Sequence, residues 1–328
     1  MSNLLPLIQN ETLKIWKKKR FFVILFILAI LIPIFTYAQM RMAENNKDKF
    51  TDWRSQLIQQ IADYQNALTS DRIPEEWKQY RRIMVQQLTY YLENDVDPSA
   101  PNAVTFTRGF MNNAVTLFIP LLVLAIGSDL ISGERSSGTI KMLLTRPVRR
   151  WKILLSKLVA LIFYISLTII STLILCYAIS GVFFGYGGWK LPVFTGFIIN
   201  GAEVDTSGVH AVPHWLYILM QAGLAWFSAV IVGLLAMMVS VLVRSTAASI
   251  VTMMATIIAG TILSNMAAAW DSAKYIFSVN LQLTSYLEGA PPPIEGMTML
   301  FSVGVLAVWG LIALIISFGV FTKQDILN

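Results

Sequence analysis

The chain has 328 residues, of which 55% are hydrophobic and 13% are charged. Because globular proteins carry about twice that share of charged residues, most of the exterior must face something other than water. The apolar content also excludes a disordered chain. The one cysteine, Cys176, excludes an internal disulfide and a cysteine-based zinc site. These proportions indicate a membrane protein.

The net charge of +6 does not indicate a nucleic-acid partner. The basic residues flank long apolar runs, and no basic stripe with interleaved aromatic residues lies on a polar segment. We therefore expect the chain to be surrounded by the lipid bilayer and to bind no nucleic acid.

Six stretches approach or exceed the roughly 20 apolar residues that a helix needs to cross a bilayer. We predict an all-α polytopic membrane protein with six transmembrane helices and a retained first span, because no small-residue cleavage site follows the N-terminal basic run. The predicted spans are 21–39, 110–130, 154–182, 214–241, 247–267 and 298–321.

The connecting segments follow from these spans and from the distribution of charge. Short loops rich in Lys and Arg stay cytoplasmic, which places both termini on the cytoplasmic side of the cell membrane. The predicted segments are an N-terminal amphipathic interfacial helix (1–20), an extracellular helical hairpin (40–109), a cytoplasmic loop with a short helix (131–153), an extracellular loop (183–213), a cytoplasmic turn (242–246), an extracellular segment (268–297) and a cytoplasmic tail (322–328).

The predicted hairpin has apolar residues at helical spacing on both sides of a break at Pro74. It could serve as a solvated cap on the bundle, or it could gate a substrate or dock a partner. The sequence leaves both interpretations open.

Catalytic equipment is absent from the sequence, so we predict no enzyme, no metal and no cofactor on this chain. There is no Gly-x-x-x-x-Gly-Lys-[Ser/Thr] loop for a nucleotide. His210 and His214 have the spacing of helical metal ligands, but Pro213 lies between them. Asp129 and Lys157 are expected to reach water from the ends of their spans, and an intramembrane enzyme would need them to share a buried site.

Spans two and five carry mildly polar side chains. Small residues at this spacing favour close helix packing, and a weakly polar translocation wall is the alternative. The candidate pathway residues are Asn113, Thr116, Thr252, Thr256 and Ser264.

The loop after span two holds the most specific pattern. Residues 136–139 (Ser-Ser-Gly-Thr) form a helix-start signal before the apolar and basic run 140–144. Arg146 is followed by Pro147, which ends a helix because the residue before proline avoids helical geometry.

The order of spans and loops, together with Gly133-Glu134-Arg135, Gly138-Thr139 and Leu144-Thr145-Arg146-Pro147, resembles the permease subunits of bacterial ABC-2-type exporters. The resemblance implies a homodimer or a heterodimer with a related permease, driven by a separate ABC ATPase that binds ATP and Mg. It implies a pathway lined by spans two and five, and an N-terminal helix on the inner interface with Leu4, Ile8 and Ile15 toward lipid. It assigns headgroup contact to Lys17, Lys18, Lys19 and Arg20, and ATPase coupling to Glu134, Gly138, Thr139, Ile140, Leu143 and Pro147.

We therefore expect a permease subunit of an ABC exporter, without catalytic activity of its own. The alternative is a membrane scaffold or sensor whose hairpin binds an extracellular ligand or partner. The substrate class (drug, peptide, lipid or ion) is not fixed by the sequence.

Overall fold

A computed structural model describes residues 4–50, 52–69, 73, 75–140, 148–201, 203–266, 270–294 and 296–323. This part of the chain is mostly helical. Its α-helices, labelled here in chain order, are α1 (Leu4–Lys17), α2 (Arg20–Lys49), α3 (Trp53–Leu68), α4 (Glu75–Glu93), α5 (Ala103–Ala114), α6 (Phe118–Gly127), α7 (Ser132–Ser136), α8 (Arg150–Phe184), α9 (His214–Leu242), α10 (Thr246–Met266) and α11 (Met299–Lys323).

Within the described residues, α2, α8, α9, α10 and α11 are each long and apolar enough to cross a membrane. A sixth crossing results if α5 and its bent continuation from Phe118 to Ser136 count as one span. α9 is the most buried of the five, and it packs against α6, α8 and α11 at the centre of the bundle. The protein is thus a multi-pass helical membrane protein.

The second predicted span, 110–130, is not one straight helix. α5 ends at Ala114, α6 begins at Phe118, and the chain bends by 63° between them. Pro120 supplies the physical reason, because it has no N–H to bond the carbonyl of Thr116 four residues earlier. The prediction of a continuous helix was wrong because it placed Pro120 in mid-helix without a break.

The bundle has two chemically different ends. Nη1 of Arg150, at the start of α8, donates to the carbonyl of Thr322 near the end of α11 at 3.3 Å, and α1 packs along α8. We call this the charged end. The opposite, distal end carries α3 and α4, which pack against each other, together with the segments 185–213 and 270–298.

The segment predicted as a loop at 183–213 contains strands, so the fold is not purely α-helical. β1 (Pro192–Thr195) pairs antiparallel with β4 (His210–Pro213), and β2 (Ile198–Asn200) pairs with β3 (Glu203–Asp205). Alternating apolar and β-branched residues favour this nested hairpin. α4 covers it, with the side chain of Gln86 accepting from the N–H of Val204 at 2.8 Å.

Residues 271–289, named here the re-entrant segment, enter the bundle from the distal end instead of lying wholly outside it. They form 3-10 turns at Asp271–Tyr275, Phe277–Asn280 and Leu283–Tyr286. The Ser228 hydroxyl donates to the carbonyl of Leu281 at 2.9 Å, about 21 Å along α9 from its first residue at 1.5 Å per residue. Such non-helical backbone is tolerated among spans when protein groups bond its carbonyls; Trp309 does so for Tyr275 at 2.9 Å.

Candidate functional site

Helix α1 presents two different faces at the charged end. Leu5, Leu13 and Trp16 are exposed, while Glu11 and Ile15 are buried against the bundle. Ile15 joins the hydrophobic core, so the prediction that it faces lipid was wrong. The face that turns inward carries a carboxylate, and this carboxylate organises the site.

Four charged side chains form a closed ring of ion pairs, which we call the ion-pair square. Glu11 lies 2.7 Å from Lys14 through Oε1 and 2.7 Å from Lys157 through Oε2. Oε1 of Glu134 lies 2.8 Å from the ammonium groups of both lysines. The square therefore connects α1, α7 and α8 through alternating charges.

Three members of the square are shielded from water, while the Lys14 side chain is 37% exposed. The Lys157 side chain is 1% exposed and the Glu11 side chain 5%, so the expectation that Lys157 reaches water was wrong. Burial alone would lower the pKa of the Lys14 ammonium, but hydrogen bonds and charges from Glu11 and Glu134 outweigh it and hold that pKa above its ordinary value. The two carboxylates thus favour the charged form of Lys14.

Asp129 is the centre of a second ion-pair group beside the square. Its Oδ2 lies 2.6 Å from Lys18 and 3.0 Å from Arg20, and Thr246 at the start of α10 donates to Oδ1 at 3.3 Å. Asp129 is buried, so the expectation that it reaches water was also wrong. Asp129 and Lys157 are thus bound to different partners.

A glycine makes the approach of Asp129 possible. A Cβ placed on Gly133 would lie 2.1 Å from Oδ1 of Asp129, a distance that two nonbonded atoms cannot hold. The Gly133-Glu134-Arg135 turn therefore allows one acidic side chain to fold back on its backbone while the next one reaches the square.

The turn is also bound to the end of α9. The Ser240 hydroxyl accepts from the N–H groups of Ile131 at 3.1 Å and Ser132 at 2.9 Å. Nη1 of Arg135 donates to the carbonyl of Val241 at 2.7 Å. Helices α1, α8, α9 and α10 consequently meet at this one turn.

A cavity of about 20 Å³ lies between the square and the Asp129 group. Oε2 of Glu134 is buried and has no hydrogen-bond partner in the protein. A space of this size holds about one water molecule, and an orphaned carboxylate oxygen is a suitable partner for it. The lining residues are Glu11, Lys14, Ile15, Lys18, Arg20, Ile126, Asp129, Leu130 and Glu134.

The residues assigned to ATPase coupling have different surroundings. Gly138 has a positive φ of 72°, which suits glycine, and the Thr139 hydroxyl contacts that of Ser137 at 2.9 Å. Ile140, which the resemblance assigns to ATPase coupling, is buried in the core of this chain and does not present its side chain to a partner. Leu143 and Pro147 lie outside the described residues.

The candidate pathway residues do not line one cavity inside this chain. Asn113, Thr252 and Thr256 are exposed, and the hydroxyl of Thr256 donates to the carbonyl of Thr252 at 2.8 Å. Thr116 lies in the break between α5 and α6, and Ser264 donates to its own helix.

Of the basic run 17–20 at the junction of α1 and α2, two side chains reach Asp129 and two face outward. Lys18 and Arg20 bind Asp129, and the Lys18 side chain remains 44% exposed. Lys17 and Lys19 are exposed. Lys19 has left-handed backbone geometry with φ 56°, which separates α1 from α2. The contact of these four residues with headgroups stays a prediction, and two of them also pair with Asp129.

The two histidines have unrelated surroundings. His210 is exposed, while His214 is buried and contacts Leu191 and Arg108. In the part of the chain that the structure describes, no group of three or more potential metal ligands assembles.

Sequence reasoning missed Glu11 and Lys14. One signal was present: Glu11 is the only acidic residue among the first 20, and it lies three positions before Lys14, the spacing of paired residues on one helix face.

Fold and site together define a multi-pass membrane protein with an ion-pair cluster at the junction of its helices. Residues 78–327 match the family described as "Protein of unknown function (DUF2705)". The chain belongs to this family.

Two relatives come from Bacillus subtilis (strain 168). The chain is 27% identical over 327 residues to "Uncharacterized protein YhcI", covering 99% of this chain and 100% of the relative. It is also 27% identical over 218 residues to "Uncharacterized membrane protein YdbK", covering 65% of this chain and 80% of the relative.

Proposed function

We propose that this chain is the permease subunit of an ABC exporter, which forms the translocation pathway and is driven by a separate ATPase. The observation that carries the proposal is the ion-pair square. Glu134, in the turn just before the 139–147 loop, is bound to both α1 and α8. A force applied to the loop therefore acts directly on two helices of the bundle.

The charged end faces the cytoplasm in this proposal. Its flanks carry Lys17, Lys19, Arg149, Arg150 and Lys152, and short basic flanks remain on the cytoplasmic side. Helix α1 and the C-terminal end of α11 then lie on the side where an ATPase would dock. The distal end with α3 and α4 is extracellular.

The coupling mechanism follows from the contacts of the Gly133-Glu134-Arg135 turn. Closure of the ATPase dimer, with its bound ATP and Mg, pushes on residues 139–147, and Gly138 gives the backbone a pivot. Because the turn is bonded to α9 through Ser240 and Arg135, its displacement tilts α9 together with α1 and α8. Alternation between inward- and outward-open states results.

The pathway lies between two protomers rather than within one. Thr252 and Thr256 of α10 face away from their own chain's core, where a second copy or a related permease would cover them. The Thr256 hydroxyl bonds the carbonyl of Thr252 on the same helix, as hydroxyls in apolar spans do. This wall is weakly polar and suits an amphiphilic cargo.

The test is purification of the tagged full chain from its native membrane. The proposal predicts that an ABC ATPase co-purifies and that its ATP hydrolysis depends on the permease. Reversing two loop charges, with Lys141→Glu and Arg146→Glu, is expected to release the ATPase. Reversing Lys78 and Arg82 on α4 serves as the matched control and should leave the complex intact.

Two results would contradict the proposal. One is a purified chain that moves cargo in vesicles without a second protein. The other is a complex whose ATP hydrolysis and composition are the same with and without the loop reversals.

A membrane scaffold or sensor is the second candidate function. Ile58 and Trp77, on α3 and α4, are more than half exposed, which favours a partner at the distal end. The pair of substitutions Ile58→Ser and Trp77→Ser tests it without uncovering the buried side of α4. A sensor would lose its partner, whereas an exporter should keep its ATPase coupling.

A further inference from the structure

The re-entrant segment is held in the bundle by side chains from several elements. Tyr286 contacts Ser302 of α11 at 2.9 Å. The Thr195 hydroxyl of β1 donates to the carbonyl of Leu287 at 2.9 Å, and Gln87 of α4 donates to that of Gly289 at 2.7 Å. These bonds are made between neutral groups, so they hold the segment at any ordinary pH.

One anchor is different because it is a carboxylate. Nδ2 of Asn112 on α5 donates to Oε2 of Glu288 at 2.7 Å, and Oδ1 of the same amide accepts from Thr284 at 2.8 Å. A single neutral amide thus clamps both ends of the turn 284–288. Among the described residues, no Lys or Arg side chain forms an ion pair with Glu288.

The groups around Glu288 compensate its charge only in part. Arg108 of α5 attracts it from beyond ion-pair distance, because its own guanidinium contacts the carbonyl of Pro98 at 2.8 Å and His214 of α9 at 3.4 Å. The phenols of Tyr80 and Tyr91 on α4 and of Tyr217 on α9 also face this region. Tyr217 is fully buried, and its hydroxyl has no partner in the protein.

We propose that Glu288 is a proton-binding site that acts as a latch for the re-entrant segment, and that the protonated carboxyl holds the segment in the bundle more tightly than the ionised one does. Oε2 can keep the hydrogen bond from Asn112 while the proton occupies the other oxygen. Protonation thereby removes a weakly compensated charge from a partly buried site without breaking the clamp.

The direction of the pH effect follows from burial. Desolvation raises the pKa of Glu288 above its ordinary value, against the opposing influence of Arg108 and Asn112. The docked segment therefore binds the proton more strongly than a released, hydrated segment. Docking tightens as the pH falls through the raised pKa and reaches its full gain below the ordinary pKa of glutamate.

The latch does not depend on the exporter proposal, because it concerns only how tightly the re-entrant segment is held at the distal end. Backbone hydrogen exchange of residues 276–289 can test it in the full chain in lipid nanodiscs. Wild type and Glu288→Gln are compared at each pH from about 8 to about 5, a range that brackets raised carboxyl pKa values. The pH dependence of the intrinsic exchange rate cancels when the exchange rate of one protein is divided by that of the other at the same pH.

Glu288→Gln, a permanently neutral side chain, is expected to slow exchange at the alkaline end of the range, by up to about tenfold per unit of pKa displacement. The ratio should approach one at the acid end. Glu93→Gln, at an exposed carboxylate on α4, is the matched control and should follow wild type throughout. Equal exchange in Glu288→Gln and wild type at every pH would overturn the proposal.

Asn112→Ala provides a second test if Glu288→Gln does not fold. Removing the amide donor disfavours the ionised carboxylate of Glu288. The pH at which hydrogen-exchange protection of the segment changes should therefore be higher in this variant than in wild type. A transition that stays in place, or a wild-type segment with no pH-dependent protection beyond the intrinsic rates, would equally overturn the latch.

Discussion

The ammonium of Lys157 lies 2.8 Å from Oε1 of Glu134, and both side chains are buried at the junction of α7 and α8. Glu11 is the second carboxylate bound to Lys157. A lysine in this position compensates two acidic groups that the bundle could not otherwise bury, because a buried charge without a partner is strongly unfavourable.

Replacing Lys157 with Met is expected to lower the free energy of unfolding by about 3–5 kcal/mol, the range for removing one partner of a buried ion pair. The loss arises because Glu11 and Glu134 keep only Lys14 as a shared cation. Thermal and denaturant unfolding in detergent would measure it, with Lys190→Met at an exposed lysine as the control. Adding Glu11→Gln and Glu134→Gln to the variant should restore much of the stability; a further loss would contradict this account.

Gly133→Ala is expected to cost about 1–3 kcal/mol of stability, as overpacking does, because the new Cβ would collide with Oδ1 of Asp129. Gly109 on α5 is the matched control, since a Cβ there meets nothing within 4 Å. Gly109→Ala should instead be neutral or stabilising by about 0.5–1 kcal/mol. Equal melting temperatures for both variants would show that the carboxylate does not require this approach.

The helical bundle could be predicted from the sequence because apolar runs of span length are a local signal. Pro120 offered a local signal for the break in the second span, yet the uninterrupted apolar run around it favoured a single helix. The strands of 192–213 are short and lie beside glycines at Gly196 and Gly201, so their pairing depends on cover from α4.

The contacts of the charged end were beyond local reasoning. Glu134 and Lys157 were both noticed, but their partners Glu11 and Lys14 are more than 100 residues away in the chain. Asp129 and Lys157 lie near the ends of their predicted spans, which favoured exposure to water. Both are buried because α1 and the residues that follow it cover them. The depth of the re-entrant segment likewise rests on Ser228 and Trp309, which no pattern within 271–289 could reveal.

Gln87→Leu is expected to loosen α4 from the distal end and to cost about 1–3 kcal/mol, because the carbonyl of Gly289 would be buried without a donor. Gln59→Leu, at an exposed site on α3, is the control. Limited proteolysis of residues 50–100 in detergent would report the loosening as faster cleavage. Unchanged cleavage with an unchanged melting temperature would show that Gln87 does not fasten the hairpin.

The four basic residues 17–20 at the junction of α1 and α2 should separate into two functional pairs. Lys17 and Lys19 are exposed beside Trp16, where an anionic leaflet contributes about 1 kcal/mol per lysine near its surface. Substituting both with Gln is therefore expected to remove about 2 kcal/mol of the stabilisation that phosphatidylglycerol gives, while stability in neutral detergent stays unchanged. Lys18→Gln should behave in the opposite way, because Lys18 pairs with Asp129: a loss of about 1 kcal/mol or less in detergent, with the lipid effect retained. Melting temperatures with and without phosphatidylglycerol would resolve the two patterns, and identical responses from the two variants would refute the division.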